Sequence, residues 1–220
     1  MHVLDLCCGE GGAGEGYARA GFDVTGVDTY PMPRNPHRFV QGDAFEIGAR
    51  LLTTGQFDLI HISPPCPRYS RVTPPRIRHT HVDLITRARK FCTSSGLPYV
   101  IENVPGAPLL NPQTLCGCMF PELNVYRPRL FETSFAWTPP RHKLHDRPVH
   151  YQYDKRKGSY GVPFNPVIHV APVHGSNNVP VRYQRAAMGT PWMSRQGVVQ
   201  AIPPAFTEYI AHQFLVERLG

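Results

Sequence analysis

The stretch "LIHISPPCPRYS", Leu59 to Ser70, places a cysteine directly behind two prolines at the end of an apolar run. A packing cysteine would sit within the run, but Cys66 falls just past it, where Pro64, Pro65 and Pro67 stiffen the loop and remove backbone donors. That arrangement aims a thiol. Further along, "IENV" ends another apolar segment with the carboxylate of Glu102 and the amide of Asn103. A thiolate that attacks an electron-poor ring, with an acid held to protonate or hydrogen-bond that ring, needs both a Cys and a carboxyl group. A third feature is the glycine cluster "CCGEGGAGEG", in which Gly9, Gly11 and Gly14 spell G-x-G-x-x-G behind the first apolar run. Asp28 ends the next apolar run about 20 residues later, where a ribose-binding acid belongs. Loop and acid together point to a cofactor carrying an adenosine. A nicotinamide dinucleotide fits the loop too, but hydride transfer has no use for the Cys66 and Glu102 pair.

These groups need a scaffold that brings them together. "HVLDL", the glycine cluster with "GYARAGF", and "DVTGVD" read as strand, helix and strand. A third strand is expected near Arg38 to Gln41, a fourth in "FDLIHIS" and a fifth in "LPYVIENV", with helical spacing in "VDLITRARKFCTSS" before the last. The alternation predicts an α/β fold with a doubly wound, mostly parallel sheet and ligands at the carboxyl ends of the strands. After Leu130 the text becomes rich in Pro, Gly, His and basic residues, with little helical periodicity. Helical patterns return in "RYQRAAMG", "SRQGVVQ" and "PPAFTEYIAHQFLVERL", where Pro203 and Pro204 suit a helix start. The division expected is a catalytic and cofactor-binding core over residues 1–136, a small variable recognition segment over 137–181, and C-terminal helices over 182–220.

With 220 residues the chain suits one domain, and its net charge of +7 with only four lysines makes arginine the main cation. Arginine suits bidentate contacts to phosphate and base edges, so a nucleic-acid partner is expected. No apolar run reaches the length of a membrane span and the first strand starts at Met1, which leads to the expectation of a cytoplasmic, monomeric protein. The six cysteines follow no regular spacing, so no disulfide framework is expected and Cys92 reads as a small core residue. Cys116-x-Cys118 with His142 and His145 has a shorter spacer than common structural zinc sites, and no metal is assigned.

In motif order the chain resembles the carbon-5 family of cytosine-specific DNA methyltransferases, in a short form similar to those of bacteriophages. "DLCCGEGGAGEGYARAGF" resembles the family's D-L-F-C-G-x-G-G motif, "SPPCPRYS" its P-P-C-Q-x-F-S motif, "ENV" its acid motif, "RPRLF" its R-x-R motif and "AIPPAFTEYIA" its final A-V-P-P helix. The resemblance implies a Rossmann-like fold of the S-adenosylmethionine-dependent type. It implies S-adenosyl-L-methionine beside Asp5, Leu6, Cys7, Gly9, Gly11, Gly12, Thr29, Ala44, Pro64, Gln200 and Ala201, with Asp28 on the ribose and Asp43 on the adenine amino group. Cys66 would add to carbon 6 of cytosine, Glu102 would bind ring nitrogen 3, and Asn103 would hold acid and nucleophile loop in place. Arg129, with Arg127 as second candidate, would hydrogen-bond the base and favour the thiolate of Cys66. Carbon 6 is hidden in a stacked duplex, so the target base would be flipped out of double-stranded DNA. Contacts to that DNA are expected from Arg68, Tyr69, Ser70, Arg71, Arg76 and Arg78 behind the nucleophile, and from Lys155, Arg156 and Lys157 in a basic run with Tyr151, Tyr153 and Tyr160. The chain departs from the family at Cys7 (phenylalanine in the family), Pro67 (glutamine), Tyr69 (phenylalanine) and Gln200-Ala201 (Gly-Asn). The same chemistry on a free nucleotide or on RNA, and a catalytically inert DNA-binding relative, stay open as alternatives.

Overall fold

The computed structural model describes residues 1–70, 73–150, 153–154, 159–160, 164–174 and 179–219. The strands are β1 (His2–Leu6), β2 (Asp23–Asp28), β3 (Arg38–Gln41), β4 (Leu59–Ile62), β5 (Tyr99–Asn103), β6 (Gln113–Leu115), β7 (Arg129–Thr133) and a small hairpin of β8 (Tyr153–Asp154) and β9 (Ser159–Tyr160). The helices are α1 (Gly12–Arg19), α2 (Ala44–Leu52), α3 (Pro75–Arg78), α4 (Ile85–Ser95), α5 (Val181–Met188), α6 (Arg195–Gln200) and α7 (Pro204–Leu219). The main sheet runs β3-β2-β1-β4-β5-β7-β6. Its first five strands are parallel, and β7 is antiparallel to both of its neighbours. The doubly wound, mostly parallel expectation is met.

Alternation along the strands divides the core. Val3, Leu59, Val100 and Phe131 face the layer of α1 and α7, with Tyr17, Phe206, Ile210 and Phe214. Leu4, Leu6, Ile60, Ile62 and Ile101 face α2 and α4, with Phe45, Ala88 and Cys92. Cys92 is fully buried, as expected of a core residue. Beyond the expected elements, α2 is held by Asp43, whose Oδ1 accepts from the N–H groups of Phe45 and Glu46 at 3.0 Å each. The D-x-x-E spacing of Asp43 and Glu46 was its signal in the sequence. Across the far side of the sheet, Arg89 pairs with Glu132 through two hydrogen bonds of 2.8 Å, joining α4 to β7.

α1 starts inside the glycine cluster because α7 packs tightly against it. A Cβ on Gly16 would lie 2.1 Å from both the Pro204 carbonyl oxygen and Thr207 Oγ1, and one on Gly12 would lie 2.5 Å from the Ile202 oxygen. Gly12 was expected to serve the cofactor, but the carbonyl of Ile202 already requires a glycine there. Gly16→Ala is expected to destabilise the protein by more than about 3 kcal/mol in urea unfolding, because backbone and not a flexible side chain occupies the space.

Candidate active site

The order of the sheet reverses between β1 and β4, and a crevice for ligands forms outside the carboxyl ends of strands at such a point. Leu6 of β1 is in register with Ile62 of β4, so the glycine loop and the proline-cysteine loop leave the sheet side by side. Ile62 in turn pairs with Ile101, which puts Glu102 and Asn103 level with the residues just beyond β4. Asn103 Nδ2 donates to the Pro64 carbonyl at 2.9 Å and fixes the loop that carries Cys66. On the other side of β5, Glu102 pairs with Phe131, so Arg129 is its diagonal neighbour on the same face. Arg129 Nε lies 3.0 Å from Glu102 Oε1. Thiol, acid, amide and arginine therefore lie together at one end of the sheet.

Arg127 has a different task. Its backbone is left-handed at φ 40° and its guanidinium donates to the carbonyls of Ala201 at 2.8 Å, Val173 at 3.0 Å and Val199 at 2.5 Å. It ties the end of α6 to the site, with three of its five N–H donors on backbone carbonyls.

Glu102 is also the end of a buried polar line. Asp5, His61, Ser63 and Glu102 all project from the α1 and α7 face of the sheet, and Tyr17 comes down from α1. Tyr17 Oη is 3.0 Å from His61 Nδ1, and His61 Nε2 is 2.9 Å from Ser63 Oγ. Ser63 in turn hydrogen-bonds the Glu102 carboxylate. One direction satisfies every member: Tyr17 donates to Nδ1, Nε2–H to Ser63, and Ser63 to Glu102. None of these three supporting residues was named from the sequence, although His61 within a fully apolar strand was a visible signal.

Burial controls the titrations. It raises Glu102 above the ordinary carboxylate value, against the opposing pull of Arg129, the Ser63 hydrogen bond and Arg127. Burial also pushes the Cys66 thiol up, more than Arg129 pulls it down, and Glu102 adds to the rise. Arg129 does favour the thiolate, but the resting group is a thiol. His61 is held down to about 3 by burial and is neutral. An unfolded chain takes up that proton near pH 6.5, whereas the folded protein resists until near pH 3, so stability is lost as pH falls through this window. Between pH 7 and 4.5 urea unfolding should show a loss of roughly 2–3 kcal/mol from His61, a component that His61→Gln should lack.

On the cofactor side, the loop is built to admit a ligand. Gly9 has φ +53° with no atom within 4 Å of where a Cβ would stand. Asp28 Oδ2 accepts the Gly9 N–H at 3.0 Å and Oδ1 the Tyr30 N–H at 3.2 Å, so the carboxylate is held at the rim of the loop. Asp5 is fully buried, and burial raises its carboxyl to about 8 against the pull of the Gly14 backbone N–H, with Asp28 and Glu102 adding to the rise. A buried acid beneath a glycine loop fits a cationic ligand group, whose charge would favour its ionised form. Gly11 is left-handed at φ +81° against Asn35, while Cys7 is left-handed at φ 58° and packs into the α2 and α4 layer. Leu6 and Ala44 are core residues, and Pro64 is buried under the Asn103 clamp. Asp43 Oδ1 is committed to capping α2. Thr29 and Gln200 are exposed, the Thr29 carbonyl accepting from Gln41, and Ala201 is buried near Gly12. Three hydrogen bonds were missed. The Glu10 carboxylate binds the N–H and hydroxyl of Ser194 at 2.6 and 2.5 Å, and Trp192 Nε1 donates to the Glu10 carbonyl at 2.8 Å, so the loop is anchored by the segment before α6.

This architecture has counterparts among solved proteins. A protein named as a DNA modification methyltransferase encoded within an Escherichia coli prophage superimposes with a TM-score of 0.67 at 16% identity, over 100% of both chains. The S. pombe Dnmt2 methyltransferase gives 0.59 at 13% identity, over 100% of this chain and 99% of that one. The Entamoeba histolytica methyltransferase EhMeth gives 0.55 at 12% identity with the same coverage. The chain has the methyltransferase fold. No protein-family model matches its sequence, and no curated protein does.

Within the methyltransferase fold, the expected nucleic-acid residues divide. Arg68 donates to the His81 carbonyl at 2.7 Å and Arg78 to the Thr73 carbonyl at 2.9 Å, so both shape the loop between β4 and α4. Tyr69 packs into the core beside Leu84 and Leu130, with its hydroxyl toward Asp83. All three were expected on DNA; Arg68 and Arg78 bond to the loop's own backbone, which holds a loop with little apolar content, while Tyr69 packs against the core. Ser70 is half-buried at the loop's start and Arg76 on α3 is exposed. Arg71, Lys155, Arg156, Lys157 and Tyr151 lie outside the described residues, as do the side chains of Tyr153 and Tyr160. No helix among the described residues is long and apolar enough to cross a membrane.

One cluster lies apart from the crevice. The ligand atoms of Cys116, Cys118, His142 and His145 all fall within 4.8 Å of one another, although the sequence analysis assigned no metal there. The short C-x-C spacer works because Gly117 allows a one-turn 3-10 helix over Gly117–Met119 that turns both sulfurs to one side.

Proposed function

We propose that the protein methylates carbon 5 of cytosine in DNA, using S-adenosylmethionine and a transient bond from Cys66 to a base turned out of the duplex. The observation that carries this reading is the Pro-flanked Cys66 on a loop clamped by Asn103, beside the 3.0 Å pair of Arg129 and Glu102. Hydride transfer has no use for that set. The methyltransferase fold supports it, as does the match in motif order.

Cys66 Sγ gives its proton to solvent water and forms a bond to carbon 6, while Glu102 passes a proton to nitrogen 3, so electron density moves to carbon 5. The Ser63, His61 and Tyr17 line keeps the Glu102 carboxyl oriented during this exchange. Arg129 binds Glu102 and stabilises the thiolate as it forms. S-adenosylmethionine, when bound, supplies an electrophilic methyl group. Gly9 would admit it and Asp28 would receive its ribose hydroxyls, while its positive charge would draw the buried Asp5 carboxyl toward its ionised form. Tyr30, 72% exposed two residues beyond Asp28, offers the aromatic face that Cys7 lacks. After methylation the carbon-5 proton passes to solvent water, the carbon–sulfur bond breaks with its electron pair returning to Cys66 as thiolate, and Glu102 recovers its proton from nitrogen 3, which restores the ring. Residues 1–136 carry this chemistry and 182–220 brace it. Residues 137–181 read the target in a monomeric, cytoplasmic enzyme.

Nucleoside mass spectrometry on DNA from cells expressing the wild type and Cys66→Ser tests the assignment. Methylated cytosine with the wild type alone is expected. Its presence only in RNA or in free nucleotides would transfer the reading to those acceptors, and its absence throughout would leave an inert DNA-binding protein.

A further inference from the structure

Cys116, Cys118, His142 and His145 lie outside the crevice and take no part in the chemistry proposed above. Cys116 Sγ is 3.3 Å from His145 Nε2, and Cys118 Sγ is 3.6 Å from His142 Nε2. A tetrahedral zinc with bonds of about 2.0–2.3 Å has ligand-to-ligand edges of roughly 3.3–3.8 Å. Both short distances fall in that range, and all four ligand atoms lie within 4.8 Å of one another. Two thiols and two imidazoles are a soft, nitrogen-and-sulfur donor set that suits Zn²⁺ and not the oxygen-seeking cations.

The surroundings support the four positions. A Cβ on Gly117 would meet the Val125 carbonyl, so a glycine is required between the cysteines. The His145 ring stacks on Tyr126 with centroids 3.8 Å apart and planes within 13°. Tyr126 Oη in turn donates to the Arg147 carbonyl at 2.6 Å and accepts the Arg147 N–H at 3.0 Å, which fixes the segment carrying His145. The Cys116 thiol donates to the Tyr126 carbonyl at 3.0 Å, but that oxygen also accepts the Gly117 N–H at 2.6 Å. It therefore keeps a donor when Cys116 gives up its proton to become a thiolate ligand.

We propose that Cys116, Cys118, His142 and His145 bind one Zn²⁺ in a closed, four-coordinate structural site. No ligand position is left for water, so the site holds chain and does no chemistry. It staples the turn after β6 to the segment after β7, across 24 residues from Cys118 to His142. That staple stands at the entry to the proposed recognition segment and fixes where the segment leaves the core. The inference does not depend on the reaction assigned above.

The test is metal analysis of the untagged full-length protein by inductively coupled plasma mass spectrometry. One zinc per chain is expected, retained in Cys66→Ser and lost in Cys118→Ser and His142→Ala. Replacement by Co²⁺ should give the visible bands of a tetrahedral site and a thiolate charge-transfer band. Chelation should lower the melting temperature by on the order of 10 °C. Zinc far below one per chain in the wild type, a Cys116–Cys118 disulfide in its place, or full zinc retention in the two ligand variants would overturn the proposal. If a variant fails to fold, the wild-type stoichiometry and the cobalt spectrum still decide.

Discussion

A duplex containing 5-fluorocytosine is expected to trap the protein in a denaturant-resistant adduct through Cys66. After sulfur adds to carbon 6 and carbon 5 is methylated, the ring can recover only by shedding the group at carbon 5 as a cation. A proton leaves in this way, but fluorine does not, so the carbon–sulfur bond persists. Cys66→Ser should form no adduct and should lower the methylation rate by a factor on the order of 10⁴ or more, because a serine hydroxyl at the same place is far less ionised and less nucleophilic. A denaturing gel and a tryptic map read the outcome. Adduct formation through any residue other than Cys66, or full activity in Cys66→Ser, would remove the covalent mechanism.

The second large effect is expected at Arg129. Its guanidinium touches Glu102 at 3.0 Å and lowers the pKa of Cys66 against the dominant effect of burial. Arg129→Met removes that opposition, so the thiol rises further, and less thiolate exists at any fixed pH near neutrality. Iodoacetamide should therefore alkylate Cys66 more slowly in Arg129→Met than in the wild type, with the pH profile moved upward. Methyl transfer should fall by about 10²-fold to 10³-fold, since both the acid and the nucleophile lose their cation. Arg129→Lys should recover part of the alkylation rate but less of the methyl transfer, because an ammonium lacks the planar fork that Arg presents to a carboxylate. Faster alkylation in Arg129→Met would contradict the electrostatic role. Arg127→Met differs in kind: its guanidinium holds three carbonyls near α6, so the measurable loss there should be in stability.

Much of the site was legible in the chain because its signals are local. Prolines flanking Cys66, glycines after an apolar run and an acid at the end of the next strand each follow from backbone geometry within a few residues. The alternation of apolar runs and helical spacings was enough for the first five strands and for a doubly wound, mostly parallel sheet. The parts that were not legible depend on which distant segments touch. Gly12 and Gly16 are dictated by the carbonyls of α7 and its approach, nearly 190 residues away in the chain, and a glycine that spares a ligand looks the same in a sequence as one that spares a helix. Arg127 and Arg129 are two residues apart in "RPRLF", yet strand register turns one toward Glu102 and a left-handed backbone turns the other toward Ala201.

The same distinction governs the polar groups. His61 and Tyr17 are unremarkable letters 44 positions apart, and only the packing of α1 on the sheet makes them support the acid. Spacing within C-x-C argued against a metal even with His142 and His145 in view, whereas the fold brings the ligand atoms of all four within 4.8 Å of one another. The sequence by itself thus determined the residue chemistry, the α/β alternation and the place of Cys66 just past a strand end, all consequences of short-range backbone constraint. The tertiary structure alone decided which arginine faces the acid, which polar groups line up behind it and how four thiol and imidazole groups meet, because burial, register and long-range contact are properties of the assembled sheet.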